Sequence, residues 1–463
     1  MQLVDTNKTR IANQAKAFYK ILTIVATLLT LMLNPSFAKS QETLSLQDVI
    51  HLSLRENPNV QILKLNERVQ RMSVETAKWR FKPHFAFGAN ANDDRVALTP
   101  EASLLTKFGT DIKVKPHDLH SRHPKGHLSV TVVQPLLRGF GQAVVEAALY
   151  DALDQEKIFK LNIEGTIRTT ITNVINAYLD LVAAEKRIEI DEEALKRAQE
   201  SVKQTALFIK SGRKAGNEII TVKANVAQAQ ASLENNKNAL SQVRYALLMT
   251  IGLDPNQDID FADLDIHKLI KKYQLVNGDT VKELALDHDV QYQTDLITIN
   301  GVTKRSVMLA EDNARPILNL ELSHRREADA SLSLTIPIDD QAAKQQILVT
   351  KTALQQAHIN LKTSKWNKEV AAVNNWKTVL ASKRSLTFAD DAAKLQDKTY
   401  QMSYQKYLHG LIDSLELQTA QFQLIQSQHS LLAAQISYLK SLVQLDMLVG
   451  HTLKTWDIEA RLG

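Results

Sequence analysis

The stretch LSVTVVQP, Leu128–Pro135, alternates apolar and small polar side chains until a proline ends the pattern. A period of two residues is typical of a β-strand with one apolar face and one polar face. Nearly the same sequence, LSLTIP, recurs at Leu332–Pro337. Each copy is followed by a long stretch without proline, the main helix breaker, so the sequence predicts a strand followed by a long helix, written twice.

The placement of the prolines predicts a mainly helical protein. The intervals 136–254, 256–315 and 338–463 contain no proline, and they are rich in Ala, Leu, Gln, Lys and Glu. These residue types are among the better helix formers. The predicted fold class is therefore mainly α with a small β part.

Residues 1–38 have the pattern of a cleaved export signal. Four basic residues precede the apolar run ILTIVATLLTLML, and Ser36 and Ala38 suit a small-x-small cleavage site. Cleavage would lower the formal net charge from +5 to +2, since it also removes Asp5. A nucleic-acid partner is therefore not expected. The chain has no cysteine, which excludes disulfides and thiolate metal sites.

The rest of the chain reads as two structural repeats around an insertion. The first repeat, 39–252, comprises a helix, a β-hairpin at about 84–135, a long helix at 142–211, a turn at Gly212 and a returning helix at 217–251. The second, 279–450, comprises a helix, a hairpin at 317–337, a long helix at about 341–409, a turn at Gly410 and a returning helix to 450. Between them lies an equatorial insertion, 253–278, and a tail follows at 451–463.

The long helices limit how the chain can pack. The segment 142–211 would be about 105 Å long at 1.5 Å per residue, which is too long to surround one compact core. Within it, apolar residues repeat at a coiled-coil spacing: Ile167, Ile171, Val174, Tyr178, Leu181 and Ile188. We therefore expect the helices to pack lengthwise, against each other or against other subunits.

The hairpins suggest where the protein is located. A lone hairpin of this kind usually lies on a soluble sheet, but two strands are marginally stable by themselves. In an exported protein, several copies could close their strands into a barrel with the apolar faces toward lipid. The side chains expected on that face are Phe85, Phe87, Val130, Val132, Leu318, Leu320, Leu332 and Leu334.

At this point the chain resembles the TolC-like outer membrane efflux proteins, or outer membrane factors. The stretch TLSLQDVIHLSLRENPNV is similar to that family's opening helix, and VVQPLLRGFG to its junction between strand and helix. The stretch GLIDSLELQTAQFQLIQSQ, with Gly450 forty residues after Gly410, is similar to its second tip turn and returning helix.

The resemblance implies an architecture and a function. It implies a homotrimer in the Gram-negative outer membrane, with four strands per chain in a transmembrane β-barrel and a long periplasmic coiled-coil barrel of helices. Such a protein is a passive exit duct of a tripartite efflux or type I secretion system. Its partners would be outer membrane lipid, a periplasmic adaptor and an inner-membrane pump of RND, ABC or MFS type.

The resemblance also implies a periplasmic gate near the two tip turns. Glu218 and Glu416 each lie six residues after a tip glycine, and Tyr407 lies three residues before Gly410. Asp413 belongs to the same predicted gate and pore set. Ile412 and Thr419 stand where some other members have an arginine and a second pore acid, so the closed-state latch and the cation preference are expected to be weaker. An alternative is that both glutamates stabilise helix N-termini.

No motif for catalysis is present. The sequence contains no G-x-x-x-x-G-K-[ST], no H-E-x-x-H and no G-x-S-x-G, so neither an enzyme nor a cofactor is expected. Imidazoles are dense in the first hairpin loop, at His117, His120, His123 and His127, but their irregular spacing favours a solvated basic loop over a metal site. The alternative function is an exported coiled-coil adhesion or binding protein without a channel.

Overall fold

The computed structural model describes residues 43–92, 95–117, 127–273, 275–324 and 327–458. The predicted export signal and the end of the predicted tail lie outside the described residues. Within these ranges the fold is mainly helical with one small antiparallel sheet, as the sequence predicts.

The helices and strands follow the order of the two repeats. The α-helices are α1 Leu46–Glu56, α2 Pro58–Trp79, α3 Gln142–Val145, α4 Ala147–Lys210, α5 Glu218–Ile251, α6 Ile266–Lys272, α7 Val281–Asp287, α8 Val290–Thr298, α9 Lys304–Asn313, α10 Gln341–Leu408, α11 Ser414–Leu448 and α12 Thr452–Trp456. A π-helical segment spans Ile299–Thr303. The strands are β1 His84–Asn92, β2 Arg95–Leu105, β3 Asp111–His117, β4 His127–Pro135, β5 Ile317–His324 and β6 Ala328–Thr335.

The core of the larger compact unit, residues 45–257 and 263–463, is a stripe along α4. This helix has 64 residues, about 96 Å at 1.5 Å per residue. Its residues Ile171, Val174 and Ile175 are completely buried, and α4 packs along α5, α11 and α2. The lengthwise packing removes apolar surface from water turn after turn, and this burial stabilises a helix that has no globular core around it. The smaller unit contributes one parallel bridge, between Leu44 and Phe261.

The sheet differs from the prediction of four strands per chain. It has six strands in the order β1-β2-β3-β4-β5-β6, with every neighbouring pair antiparallel. The extra strands, β2 and β3, lie inside the segment predicted to be a single hairpin at about 84–135. Their sequence reads as a loop because Pro100, Pro116 and two lysines interrupt its apolar pattern, although Pro100 and Pro116 both lie inside strands.

The helix predicted at the start of the second repeat is also broken in the structure. The Asp289 carboxylate accepts a hydrogen bond from the Tyr292 amide at 2.8 Å and starts α8 as a new helix. The π-helical segment then adds one residue to a turn, at Gly301. Gly301 lies against the Asp154 carboxylate, which binds the Arg305 guanidinium, so a Cβ at this position has no room.

Glycine ends α5 at the position where the chain passes the first helices. Gly252 has φ +98°, in the left-handed region that favours glycine. A Cβ built on Gly252 would lie 2.6 Å from the carbonyl oxygen of Glu56. This turn therefore needs glycine for both its backbone angle and its close approach to the end of α1.

We expect Gly252→Ala to lower the free energy of unfolding by at least about 1–2 kcal/mol, the cost of the left-handed conformation for a residue with a Cβ. Gly216→Ala is the matched control, because Gly216 has open space around it and no positive φ. Thermal unfolding followed by the helical circular dichroism signal measures both. Equal melting temperatures for the two variants would contradict the role of Gly252.

A partly buried carboxyl, that of Asp446, lies near the C-terminal end of α11. Burial raises the pKa of Asp446, although the Thr455 hydroxyl donates to its Oδ1 at 2.9 Å. The nearby Lys272 ammonium lies 3.6 Å from the centroid of the buried Trp456 ring, and burial lowers its pKa. The predicted equatorial insertion thus contains a helix, α6, that ends at this cluster.

Asp446 makes the stability of the fold depend on pH. Because the pKa is raised in the folded state, the folded protein holds this proton more tightly than the unfolded chain, and stability falls as pH rises above the ordinary aspartate value of about 3.9. We expect Asp446→Asn, which keeps the acceptor for Thr455, to flatten that fall. Unfolding measured across the acid range tests this, and an unchanged slope would contradict it.

Candidate functional site

The two long helix pairs end in turns of the same geometry. Gly212 has φ +74° and Gly410 has φ +73°. In each turn the next amide bonds back across the helix end, from Arg213 to the Phe208 carbonyl at 2.8 Å and from Leu411 to the Lys406 carbonyl at 2.9 Å. This bond pattern is the Schellman motif, which satisfies the last carbonyls of a helix. The two turns lie beside each other, because the Lys214 side chain of the first turn reaches the Ile412 carbonyl of the second.

Tyr407 is completely buried between the two repeats. Its ring meets Phe208 edge to face at 5.7 Å, and its hydroxyl lies 2.5 Å from Thr205 Oγ1. The Thr205 hydroxyl donates a hydrogen bond to the Ser201 carbonyl at 2.7 Å. Because a hydroxyl carries one proton, Tyr407 is the donor to Thr205. The bond ties α10 of the second repeat to α4 of the first.

Lys214, which the sequence analysis does not single out, joins the two turns. Its ammonium lies 4.3 Å from the Tyr407 ring centroid, 2.8 Å from Glu218 Oε2 and 3.3 Å from the Ile412 carbonyl oxygen. The Lys214 side chain is only 7% exposed, so these partners replace the hydration that the ammonium loses on burial. The only sequence signal was the spacing of four residues between Lys214 and Glu218.

The equivalent acids of the two repeats have different surroundings. Glu218 is ion-paired with Lys214, whereas Glu416 is exposed in the first turn of α11. Asp413 caps that helix, because its carboxylate accepts the Glu416 amide at 2.8 Å. Ile412 occupies the position where the resemblance implies an arginine, and its backbone carbonyl accepts a hydrogen bond from the Lys214 ammonium. The tip cluster defined here is Thr205, Tyr407, Lys214, Glu218 and Ile412.

A second polar cluster joins three helices farther from the tip. Asp191 on α4 is buried, and its carboxylate accepts from Asn236 Nδ2 on α5 at 2.5 Å. Its other oxygen lies 3.2 Å from His429 Nε2 on α11. No sequence motif marks this cluster, because Asn236 and His429 lie 45 and 238 positions from Asp191.

The candidate lipid-facing residues lie on one face of the sheet. Leu318 pairs with Leu334 and Leu320 with Leu332 across β5 and β6. At the other edge Phe85 and Phe87 are 83% and 73% exposed in the single chain. Val130 and Val132 occupy β4 between these edges. No α-helix in the described ranges has the length and apolar character needed to cross a membrane.

The described residues include no group of three His, Asp or Glu side chains placed to hold a metal ion. His117 and His127 are opposite each other at the ends of β3 and β4. The rest of the His-rich loop, 118–126, lies outside the described residues.

Comparison with known proteins identifies the family. The profile of the outer membrane efflux protein family matches residues 49–252 and 300–451. The chain belongs to this family. The resemblance found in the sequence is thereby confirmed. No curated protein sequence matches the chain.

Solved structures of bacterial outer membrane proteins share the fold of this chain. The open state of the Neisseria gonorrhoeae MtrE outer membrane channel matches with a TM-score of 0.67 at 16% identity, over 88% of this chain and 89% of that one. The Campylobacter jejuni CmeC outer membrane channel matches with 0.63 at 14%, over 90% and 88%. The Vibrio cholerae outer membrane protein VceC matches with 0.62 at 14%, over 88% and 95%.

The bond between Tyr407 and Thr205 gives an asymmetric prediction. We expect Thr205→Val to cost about 1–3 kcal/mol of local stability, because it leaves the buried Tyr407 donor unsatisfied. Tyr407→Phe leaves Thr205 bonded to Ser201 and should cost less. Hydrogen–deuterium exchange of the tip amides measures both costs, and equal protection in the two variants would contradict the assigned direction of the bond.

Proposed function

We propose that the chain is a channel-tunnel of the Gram-negative outer membrane and acts as a passive exit duct with no catalytic step. Three copies form the duct, which serves a tripartite efflux or type I secretion system. A periplasmic adaptor and an inner-membrane pump of RND, ABC or MFS type deliver the cargo to it. Outer membrane lipid surrounds the sheet.

The observation that carries this proposal is a sheet with one apolar face joined directly to helices of about 100 Å, in a chain of the efflux family. The joint is rigid. The Leu136 amide donates to the Leu318 carbonyl at 2.7 Å, and the Gly139 amide donates to the buried Asp312 carboxylate at 2.8 Å. A duct needs such a joint, because the membrane part and the periplasmic part must share one passage.

Exposed surface on α10 supports assembly into a homotrimer. Only four of its 68 residues are buried, against 21 of the 64 in α4. Its large apolar residues open to solvent in the single chain are Leu348, Val349, Ile359, Trp366, Val370, Phe388, Leu395 and Met402. An exposed apolar surface of this length marks an interface, and further copies of the chain would cover it.

The tip cluster supports a gate at the periplasmic end. In this proposal Tyr407, Lys214 and Glu218 hold the two repeats together and keep the tip closed, while Asp413 and Glu416 line the entrance. Breaking the contacts of Lys214 would free the second repeat to move outward, because this one cation bridges both turns.

The first experiment is electron-microscope averaging of the mature protein extracted from the outer membrane fraction. We expect a hollow three-fold tube longer than about 100 Å, since the long helices run along its axis. A solid rod, or a particle without an axial hole, would overturn the channel and favour a coiled-coil binding protein.

The gate has its own test in planar bilayers. We expect the double variant Lys214→Met, Glu218→Gln to raise the resting conductance several-fold, because it removes the cation that bridges the tips. The matched control is Lys237→Met, Glu234→Gln, which removes an exposed ion pair of 3.0 Å on the same helix and should leave conductance unchanged. Equal conductance in the two double variants would remove the tip cluster from the gate.

A further inference from the structure

The second hairpin, β2 and β3, continues the two faces of the sheet. One row of paired residues crosses all six strands and is polar throughout: His84, Ser103, Lys113, Thr131, Ser323 and Asp329. The neighbouring row crosses β2 to β6 and is apolar throughout: Leu104, Ile112, Val132, Leu322 and Ala330. A shift of the pairing register by one residue would move a strand's apolar side chains to the other face. The register of β2 and β3 therefore keeps their polar and apolar side chains on the same faces as those of the other four strands.

The turn between β2 and β3 is fixed where the sheet meets the helices. The Lys107 ammonium lies 2.9 Å from Glu146 Oε1, a carboxylate buried at the start of α4. The Thr110 hydroxyl donates to Gln134 Oε1 at 2.5 Å, and the Gly141 amide donates to the Phe108 carbonyl at 3.4 Å. The hairpin therefore reaches the base of the sheet and is not a flap at its far end.

Both edges of the sheet lack a partner strand among the described residues. The edges are β1, with nine residues, and β6, whose eight residues are all exposed. Neighbouring strands alternate in direction, so the first and last of six strands run in opposite directions. The edge of β6 therefore fits the β1 edge of a second copy as an antiparallel pair. Lipid cannot satisfy edge amides and carbonyls, so a sheet in a membrane must close.

We propose that every chain places all six strands in the membrane wall, and that β6 of one copy pairs with β1 of the next. This inference rests on the proposed trimeric channel. Three copies then close a barrel of eighteen strands, whereas the four strands per chain implied by the family resemblance would give twelve. Because barrel diameter grows roughly linearly with strand number, the wall is about one and a half times as wide.

The polar face then lines a wet lumen, and β2 and β3 add charge to it. Lys113 and Lys115 on β3 are exposed, and Glu101 lies on the same face of β2. In the hairpin formed by β5 and β6, Glu321 also lies on the polar face. Charged side chains belong on the water-filled side of an outer membrane barrel, because they destabilise a wall when they face lipid.

The absence of cysteine from the native chain allows a direct test in the full-length protein in proteoliposomes. We expect Lys113→Cys to react with a water-soluble maleimide at least ten times faster than its neighbour Ile112→Cys, which would face lipid. Their partners on β4, Thr131→Cys and Val132→Cys, form the matched control pair. Equal rates for the β3 pair alone would place β3 outside the wall and overturn this inference. Equal rates for both pairs would overturn the proposed channel itself.

The contact between copies is tested by oxidative cross-linking. Ala86→Cys on β1 is combined in turn with Ser331→Cys, Ser333→Cys and Thr335→Cys on β6, all on the polar face. We expect one of these combinations to give covalent dimers and trimers in a denaturing gel. If none does while the native protein remains trimeric, β6 and β1 do not meet between copies.

Barrel width gives an independent measurement. Deleting residues 93–117 removes β2 and β3 and leaves four strands per chain. We expect the barrel seen by electron microscopy to narrow by about a third, in proportion to the strand number. A barrel of unchanged width would show that the second hairpin lies outside the wall.

Discussion

The structure depends on lengthwise burial between very long helices. A helix of about 100 Å has little stability of its own in water and no compact core to rest on, so its apolar stripe must be covered along its whole length. In this chain α4 is covered by α5, α11 and α2, and its central residues Ile171, Val174 and Ile175 are excluded from water. The stripe of α10 has no equivalent cover within the chain. The same requirement therefore buries α4 within the chain and leaves the apolar residues of α10 exposed in it.

Two sets of polar contacts then join the repeats at opposite ends of the helices. At one end the backbone around Gly139 and the Asp312 carboxylate fix the sheet to both repeats. At the other end the tip cluster connects them through the Lys214 ammonium and the hydrogen bond between Tyr407 and Thr205. The first joint consists mainly of backbone hydrogen bonds, whereas the second consists of side chains that can separate without unfolding a helix. The molecule is thus fixed firmly at the sheet and only lightly at the tip.

Sequence patterns predict the helical class, the strands β1, β4, β5 and β6 and the family, because each rests on local periodicity or a local motif. Gly212 and Gly410 stand out for the same reason, since a turn between two long helices needs a residue that tolerates positive φ. The strands β2 and β3 are missed because their apolar residues are separated by Pro100, Pro116 and lysines. The role of Lys214 is missed because its partner Tyr407 is almost two hundred positions away, and only the folded chain brings them together.

The π-helical segment at Ile299–Thr303 restricts how the length of this chain can vary. It holds one residue more than a regular helical turn, and α9 and β5 follow it without a flexible loop. Loss of one residue there would restore regular helical pairing and rotate everything that follows by about 100°, taking Arg305 away from Asp154 and turning the apolar face of β5 aside. Insertions and deletions are tolerated in surface loops, but at this position the loss of a single residue would misalign the sheet with the helices.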